Sequence, residues 1–264
     1  MAQPTPRPTP TASSAAIQQL TTSLVQSGLP TPHPSFLQPI LSSISSTSQR
    51  TPPLSSLHAT ARLRLLASDL TGPNILSPTT PYFPPNTSNV QIPSQTLSTD
   101  IPVQVLDIED LGKSKWEQIE ALESERKGET TKGREVIRVI PDSSDNASSL
   151  STPATQTSAA ANQASTTNIR SAGPFRLLLQ DARGQKAWGF ELKKVEKLGM
   201  PPYMAIGCKV VLKRGCKVAR GMVLLEPATV VVLGGKIEAL DKVWREGREG
   251  RLRDAVNTGT GDSG

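Results

Sequence analysis

The stretch Gly173–Leu192, GPFRLLLQDARGQKAWGFEL, and the run at 208–233, CKVVLKRGCKVARGMVLLEPATVVVL, decide the fold class of this chain. Side chains of a strand alternate between its two faces, so Phe175, Leu177 and Leu179 fall on one side. Asp181-Ala-Arg-Gly184 then carries the residues of a tight turn. Trp188, Phe190 and Leu192 alternate in the next strand, and Cys208, Val210 and Leu212 alternate with Lys209 and Lys213 in another. Arg220–Leu225 and Thr229–Leu233 supply two more, separated by Glu226-Pro227 and ended by Gly234-Gly235. On this alternation Phe175, Trp188 and Phe190 pack inside the β unit. The competing reading leaves them exposed as a platform for stacked bases.

Working outward, Ile101, Val103 and Val105 alternate and pass into Leu106-Asp107-Ile108, which predicts a strand with a bulge where its apolar face switches. Ser114 and Glu117 have the spacing of a capping box, and Trp116, Ile119 and Leu122 lie on one side of the short helix that follows. Val136, Ile137, Val139 and Ile140 give a further short strand before Pro141. The next thirty or so positions hold almost no large apolar residue, and structureless loops of that length are uncommon inside compact domains. Beyond the strands, Ile237, Leu240, Val243 and Trp244 form a helical stripe. Five or six short strands, one helix and a long inter-strand connection predict a mainly β protein. Its core is a small closed antiparallel OB-fold barrel over 100–246, with 141–172 as a flexible insertion and 247–264 as a disordered tail.

The N-terminal part reads differently. After a Pro/Thr-rich stretch at 1–12, three apolar stripes with helical spacing follow over 13–71: Ile17, Leu20, Leu24 and Val25; then Phe36, Leu37, Ile40, Leu41 and Ile44; then Leu54, Leu57, Ala61, Leu65 and Leu66. Three such stripes can pack on one another as a helical bundle; isolated transient helices are the alternative. Residues 72–99, with Tyr82 and Phe83 as their large apolar groups, read as a connector draped over the folded part.

Composition narrows the function. The segment 174–264 carries 17 Lys/Arg against 10 Asp/Glu and holds the chain's excess positive charge, which suits a nuclear protein working near nucleic acid. Two cysteines without C-x-x-C spacing, and two histidines far from them in sequence, argue against a zinc site or a disulfide framework. No segment has the length and apolarity of a membrane span. No nucleophile elbow, phosphate-binding loop or paired-carboxylate pattern is present, so neither an enzyme nor a cofactor is expected. Lys209, Lys213, Arg214, Lys217 and Arg220 form the best basic cluster, readable as solvated strand faces or as a contact surface for a partner or nucleic acid.

The run Ala219–Leu240, ARGMVLLEPATVVVLGGKIEAL, closely resembles the signature of the RecQ-mediated genome instability protein 1 family. Leu177–Gly184 resembles that family's first hairpin, and Val103–Gly112 with Trp116–Ile119 is similar to its first barrel strand and following helix. Leu65–Leu70 resembles the end of its N-terminal helical region, although the tryptophans usual there are missing. The resemblance implies the short fungal type, a helical region plus one OB-fold. It implies a non-catalytic subunit that binds topoisomerase III and a RecQ-family helicase, contacts DNA weakly within the complex, and promotes dissolution of double Holliday junctions. The family's long connection is held to modulate the topoisomerase gate; here it corresponds to about 141–172, with Asp142, Asp145 and Arg170 as its charged candidates. The exposed face of the 208–225 hairpin, with Lys209, Val211 and Lys213, is the expected docking surface. The alternative is an autonomous single-stranded DNA-binding OB-fold.

Overall fold

The computed structural model describes residues 12–45, 53–127 and 173–260. The expected strand at 136–140, the insertion 141–172 and its residues Asp142, Asp145 and Arg170 lie outside them. The three N-terminal stripes form helices α1 (Ala12–Gln26), α2 (Pro34–Ser45) and α3 (Leu54–Ala67). Leu20 and Leu24 on α1, Leu37 and Ile40 on α2, and Ala61 and Leu65 on α3 bury against one another. Gly28 ends α1 with a φ of +81°, the left-handed conformation that glycine adopts without penalty. That turn carries Leu29 back into the same core.

The β unit comprises β1 (Gln95–Thr96), β2 (Ile101–Asp110), β3 (Phe175–Asp181), β4 (Lys186–Glu191), β5 (Lys209–Leu212), β6 (Lys217–Ala219), β7 (Met222–Leu225) and β8 (Val230–Gly234). Helix α4 (Lys115–Lys127) follows β2, and α5 (Glu238–Thr260) follows β8. The strands form one sheet in the order β1-β6-β7-β4-β3-β2-β5-β8. Strands β5 and β6 stand five ladder steps apart in that order, roughly 24 Å if the sheet were flat. Only residues 213–216 join them, a reach of roughly 17 Å, so the sheet must curl. This is the expected OB-fold, mainly β, but as a curled half-barrel rather than a closed antiparallel barrel: its edges β1 and β8 do not pair with each other, and β4 and β7 run parallel.

Inside the curl, Val103, Val105, Phe175, Leu177, Leu179, Val210, Leu212, Val223 and Leu225 make the core, and the connector contributes Phe83 and Leu97. The predicted bulge in β2 is present: pairing with β3 shifts between Val105 and Asp107, after which Ile108 points inward. The capping box also forms, the Glu117 N–H donating to Ser114 Oγ at 3.1 Å and the Ser114 N–H to Glu117 Oε2 at 2.8 Å. Within the α4 stripe Ile119 is buried, but Trp116 is 57% exposed.

Three expectations are corrected. The core-facing residues of β4 are Ala187, Gly189 and Glu191, so Trp188, Phe190 and Leu192 lie on the outer face, while Phe175 is inside as expected. The hairpin sets Leu177 opposite Gly189 and Leu179 opposite Ala187. A Cβ at Gly189 would stand 3.0 Å from Leu179 Cδ1 and 3.1 Å from Leu225 Cδ1, so leucines from β3 and β7 already fill the space an aromatic ring would need. Second, Arg220 does not begin a strand: with φ values of +47° and +78°, Arg220 and Gly221 form the two-residue turn between β6 and β7. Third, residues 247–260 continue α5 rather than forming a tail. Arg253 pairs with Glu249 at 2.9 Å and with Glu123 of α4, and Arg126 of α4 pairs with Glu249 at 3.4 Å. Trp244 and Leu240 anchor the start of the long helix in the core, and charge pairs with α4 accompany its later turns.

Candidate interaction surface of the curled sheet

The basic cluster expected at 209–220 is split by the fold. Lys209 pairs with Gln104 across β5 and β2, on the strip of sheet beneath the last turn of the helical bundle. Gln104 is fully buried; its Oε1 accepts from the Leu70 N–H at 3.0 Å, and its Nε2 donates to Asp69 Oδ1 at 2.7 Å and Gln180 Oε1 at 3.0 Å. Lys209 lies beside this network, 1% exposed, its Nζ donating to the Gly207 carbonyl at 2.6 Å. Val211 is buried as well. Alternation had assigned both to a solvated docking face; the fold removes them from it.

A buried lysine is electrostatically costly, because burial disfavours its charged form. Burial pushes the Lys209 ammonium down to about 8, against the pull of Cys208 and Asp69. Burial raises the Asp69 carboxyl, but hydrogen bonds from Thr71 and Gln104 and the charge of Lys209 outweigh it and hold that group below its ordinary value. Between about pH 8 and the ordinary lysine value of 10.5, the unfolded chain keeps a proton the folded chain has shed, so stability rises with pH. Burial pushes the Cys208 thiol from 9.0 up to about 11, which has the opposite sign above pH 9. The Lys209 contribution is therefore cleanest between pH 8 and 9, where we expect the wild type to gain about 1 kcal/mol relative to Lys209→Met. Urea denaturation of both proteins at the two pH values measures it; parallel pH dependence would mean that Lys209 keeps its proton in the folded state and that burial does not lower its titration. At neutral pH the methionine variant is expected to be as stable as wild type or more so, since an apolar side chain of similar length replaces a buried charge.

Lys213 is tied to Asp100 at 2.8 Å, and the Arg214 N–H donates to the same carboxylate at 2.7 Å. These hydrogen bonds, that from the Lys213 side chain foremost, hold the Asp100 carboxyl below its usual value. Lys217, on β6, and Arg220, at the hairpin turn, are exposed and form no ion pair among the described residues. Sequence alternation missed a third component, the outer face of β3, β4 and β7. Across it the register aligns Leu178, Trp188 and Met222 in one row and Arg176, Phe190 and Leu224 in the next. The Arg176 guanidinium stands 4.5 Å from the Trp188 ring centre and pairs with Glu109. The signal that could have revealed this face is the Gly-Phe pair at 189–190: a glycine in mid-strand marks a crowded core position, which puts its neighbours outside.

Where β3 begins, the chain runs beside the end of β2. The Leu111 N–H donates to the Pro174 carbonyl at 2.9 Å, and a Cβ at Gly112 would lie 2.3 Å from the Gly173 carbonyl oxygen. These two glycines let the chain return beside the start of α4, where Leu111 and Trp116 are exposed. Among the described residues no group of His, Cys, Asp or Glu could hold a metal ion, and Cys208 and Cys216 are buried free thiols whose ionisation burial disfavours.

A curled OB-fold sheet with a three-helix bundle docked on it defines an OB-fold module built around interaction surfaces. Residues 83–248 match the family model described as RMI1, N-terminal OB-fold domain, and residues 24–73 match that described as RMI1, N-terminal helical domain. RecQ-mediated genome instability protein 1 of Schizosaccharomyces pombe is 30% identical over 179 residues, 67% of this chain and 71% of that protein. The chain belongs to the RecQ-mediated genome instability protein 1 family, in which its OB-fold is consistent with a role in genome stability.

Proposed function

We propose that this protein is a non-catalytic nuclear adaptor that binds topoisomerase III and a RecQ-family helicase and promotes dissolution of double Holliday junctions. The observation that carries the reading is the family match across both the helical bundle and the OB-fold. The link to a RecQ helicase is supported by the name of the fission yeast relative. In this reading the segment 141–172, with Asp142, Asp145 and Arg170, contacts the topoisomerase gate. Such a segment shifts the balance of gate states only by the difference in its affinity for them. The docking surface is moved from Lys209 and Val211, which are buried, to the exposed Leu111 and Trp116, between the end of β2 and the first turn of α4.

Deleting 142–171 is expected to leave topoisomerase III pull-down intact while stimulation of junction dissolution falls to the level of the topoisomerase and helicase without this protein. Full stimulation by the deletion variant would refute the gate assignment, and absence of topoisomerase binding by the wild type would refute the adaptor reading.

A further inference from the structure

Helix α5 carries Trp244, Arg248, Arg251, Leu252 and Ala255 at helical spacing, so they share one face. That face lines a cavity of about 330 Å³ between α5, the end of β2 and the first turn of α4. Ile108 and Trp244 are its buried apolar groups, Leu252 is half-buried, and Leu111 is exposed. Two guanidinium groups stand by the Trp244 ring, Arg248 at 5.5 Å and Arg251 at 5.6 Å from its centre. Gln118 aims the first of them: its amide donates to the Asp110 and Lys113 carbonyls at 3.0 and 3.1 Å, which leaves its oxygen to accept from Arg248 at 3.2 Å. Arg251 donates to the Trp244 carbonyl at 2.9 Å. Neither forms an ion pair among the described residues, nor do Lys113 and Lys115 beside them, whereas Arg245 and Arg253 of the same helix pair with Asp241 and Glu249. Burial holds the Arg248 guanidinium below its ordinary value, against the pull of Asp110 and with Arg251 pushing the same way. Like charges three residues apart on one helix face repel. The fold nevertheless keeps these two together over apolar groups.

We infer that this cavity docks an acidic linear segment of a partner protein, with one apolar side chain against Ile108, Trp244 and Leu252 and neighbouring carboxylates on Arg248 and Arg251. Guanidinium groups bind carboxylates through paired hydrogen bonds, and each of these has donors left to offer. A purely apolar segment would cover two cations and give them no partner. The cavity's own carboxylates are engaged elsewhere: Asp107 accepts from Trp244 Nε1 and the Ile108 N–H, Asp110 from the Gly112 N–H, and Glu109 pairs with Arg176. They also decide against nucleic acid, because a continuous phosphate backbone would have to pass all three. A peptide can set its few charges on the arginines alone. The cavity shares Leu111 with the docking surface proposed above, and the inference rests on that reading in no other respect.

The test uses the full chain, isotope-labelled for nuclear magnetic resonance, and synthetic peptides in which one Leu, Phe or Met stands among alternating Glu and Ser. A peptide of about 12 residues reaches roughly 40 Å when extended, enough to cross the cavity. The chain holds three tryptophans, so the Trp244 indole N–H signal is assigned by comparison with Trp116→Phe and Trp188→Phe. We expect at least one acidic peptide to move that signal and to bind with a Kd of about 10–100 µM, weakening as salt rises. Replacing its Glu residues by Lys should abolish binding, and replacing its apolar residue by Ser should weaken binding about tenfold. Arg248→Glu with Arg251→Glu should remove binding. Ala255→Phe, which fills the cavity and leaves both arginines in place, should weaken it about tenfold or more. Arg251 is exposed, so Arg251→Gln, with an expected loss of about tenfold, keeps the test open if the double reversal disturbs the fold. No movement of the Trp244 signal with any acidic peptide, equal binding of the Lys peptides, or normal binding by the arginine variants would each overturn the inference. An oligothymidylate that displaces the peptide and itself moves the Trp244 signal would assign the arginines to nucleic acid and overturn it too. No topoisomerase, helicase or junction enters the assay, so its failure would leave the adaptor reading standing.

Discussion

Gly235→Ala is expected to cost about 3–5 kcal/mol and Gly234→Ala only about 1–2 kcal/mol, although the two glycines are adjacent and adopt nearly the same backbone conformation. Their φ values are +94° and +88°, so any L side chain meets similar backbone strain at either position. They differ in what the side chain would touch. A Cβ at Gly234 meets nothing within 4 Å, whereas one at Gly235 would lie 2.3 Å from the Leu66 carbonyl oxygen and 2.8 Å from Leu66 Cβ. Leu66 belongs to the last turn of α3, and the bundle core continues from it to Leu233 of β8. Alanine at 235 must therefore lever the bundle off the sheet and strain the network in which Gln104 holds Leu70 and Asp69. The difference between the two variants isolates the docking of the bundle. Thermal melts should show Gly234→Ala as one shifted transition, and Gly235→Ala with a larger shift and faster amide exchange at Leu70. Equal losses for the two would mean that backbone strain alone accounts for Gly235 and that the bundle rests loosely on the sheet.

What could be read from the residues follows what alternation can and cannot detect. The face of β3, the bulge at Val105/Asp107 and the Ser114–Glu117 box are local, and each was legible because the competing conformations present the wrong groups to the core. The face of β4 was misread because hydrophobicity ranked Trp188 and Phe190 above Ala187 and Gly189. The interior selects for fit between Leu177, Leu179 and Leu225 and has room there for small residues only. Lys209 was misread for a non-local reason: β5 is covered on both faces, one by the sheet's own core and the other beneath the bundle, so a charged residue in the strand does not report solvent. Helix α5 ran past its expected end because its last turns are secured by Arg253, Glu249 and Glu123, a pattern that in sequence looks like a solvated tail. For the interaction surface the consequence was direct: the expected cluster lost Lys209 to the interior and Lys213 to Asp100, and kept Lys217 and Arg220 beside aromatic residues that had been placed inside.

Asp181→Ala is expected to destabilise the protein by about 3–5 kcal/mol, more than any surface substitution, because a single buried carboxylate terminates three backbone donors. Its Oδ1 accepts from the N–H groups of Arg183 and Gln185 at 2.9 and 2.8 Å, shaping the turn between β3 and β4, and its Oδ2 accepts from the Phe83 N–H at 2.8 Å. The third bond crosses from the β unit to the connector and seats Phe83 in the sheet's core. Truncation to alanine leaves all three donors without an acceptor, and Asp181 is fully buried, so water does not replace it cheaply. Asp181→Asn separates the two roles. The amide retains one acceptor oxygen, but its NH2 group must then face a backbone N–H, donor against donor. Because the turn presents two of the three donors, the oxygen is expected to stay with Arg183 and Gln185, leaving the Phe83 anchor broken at a cost of about 2 kcal/mol. Hydrogen exchange read residue by residue should then quicken at Phe83 while Arg183 and Gln185 remain protected. Faster exchange at the turn with Phe83 unchanged would assign the carboxylate to the hairpin alone, and the connector would owe its position to the burial of its apolar side chains.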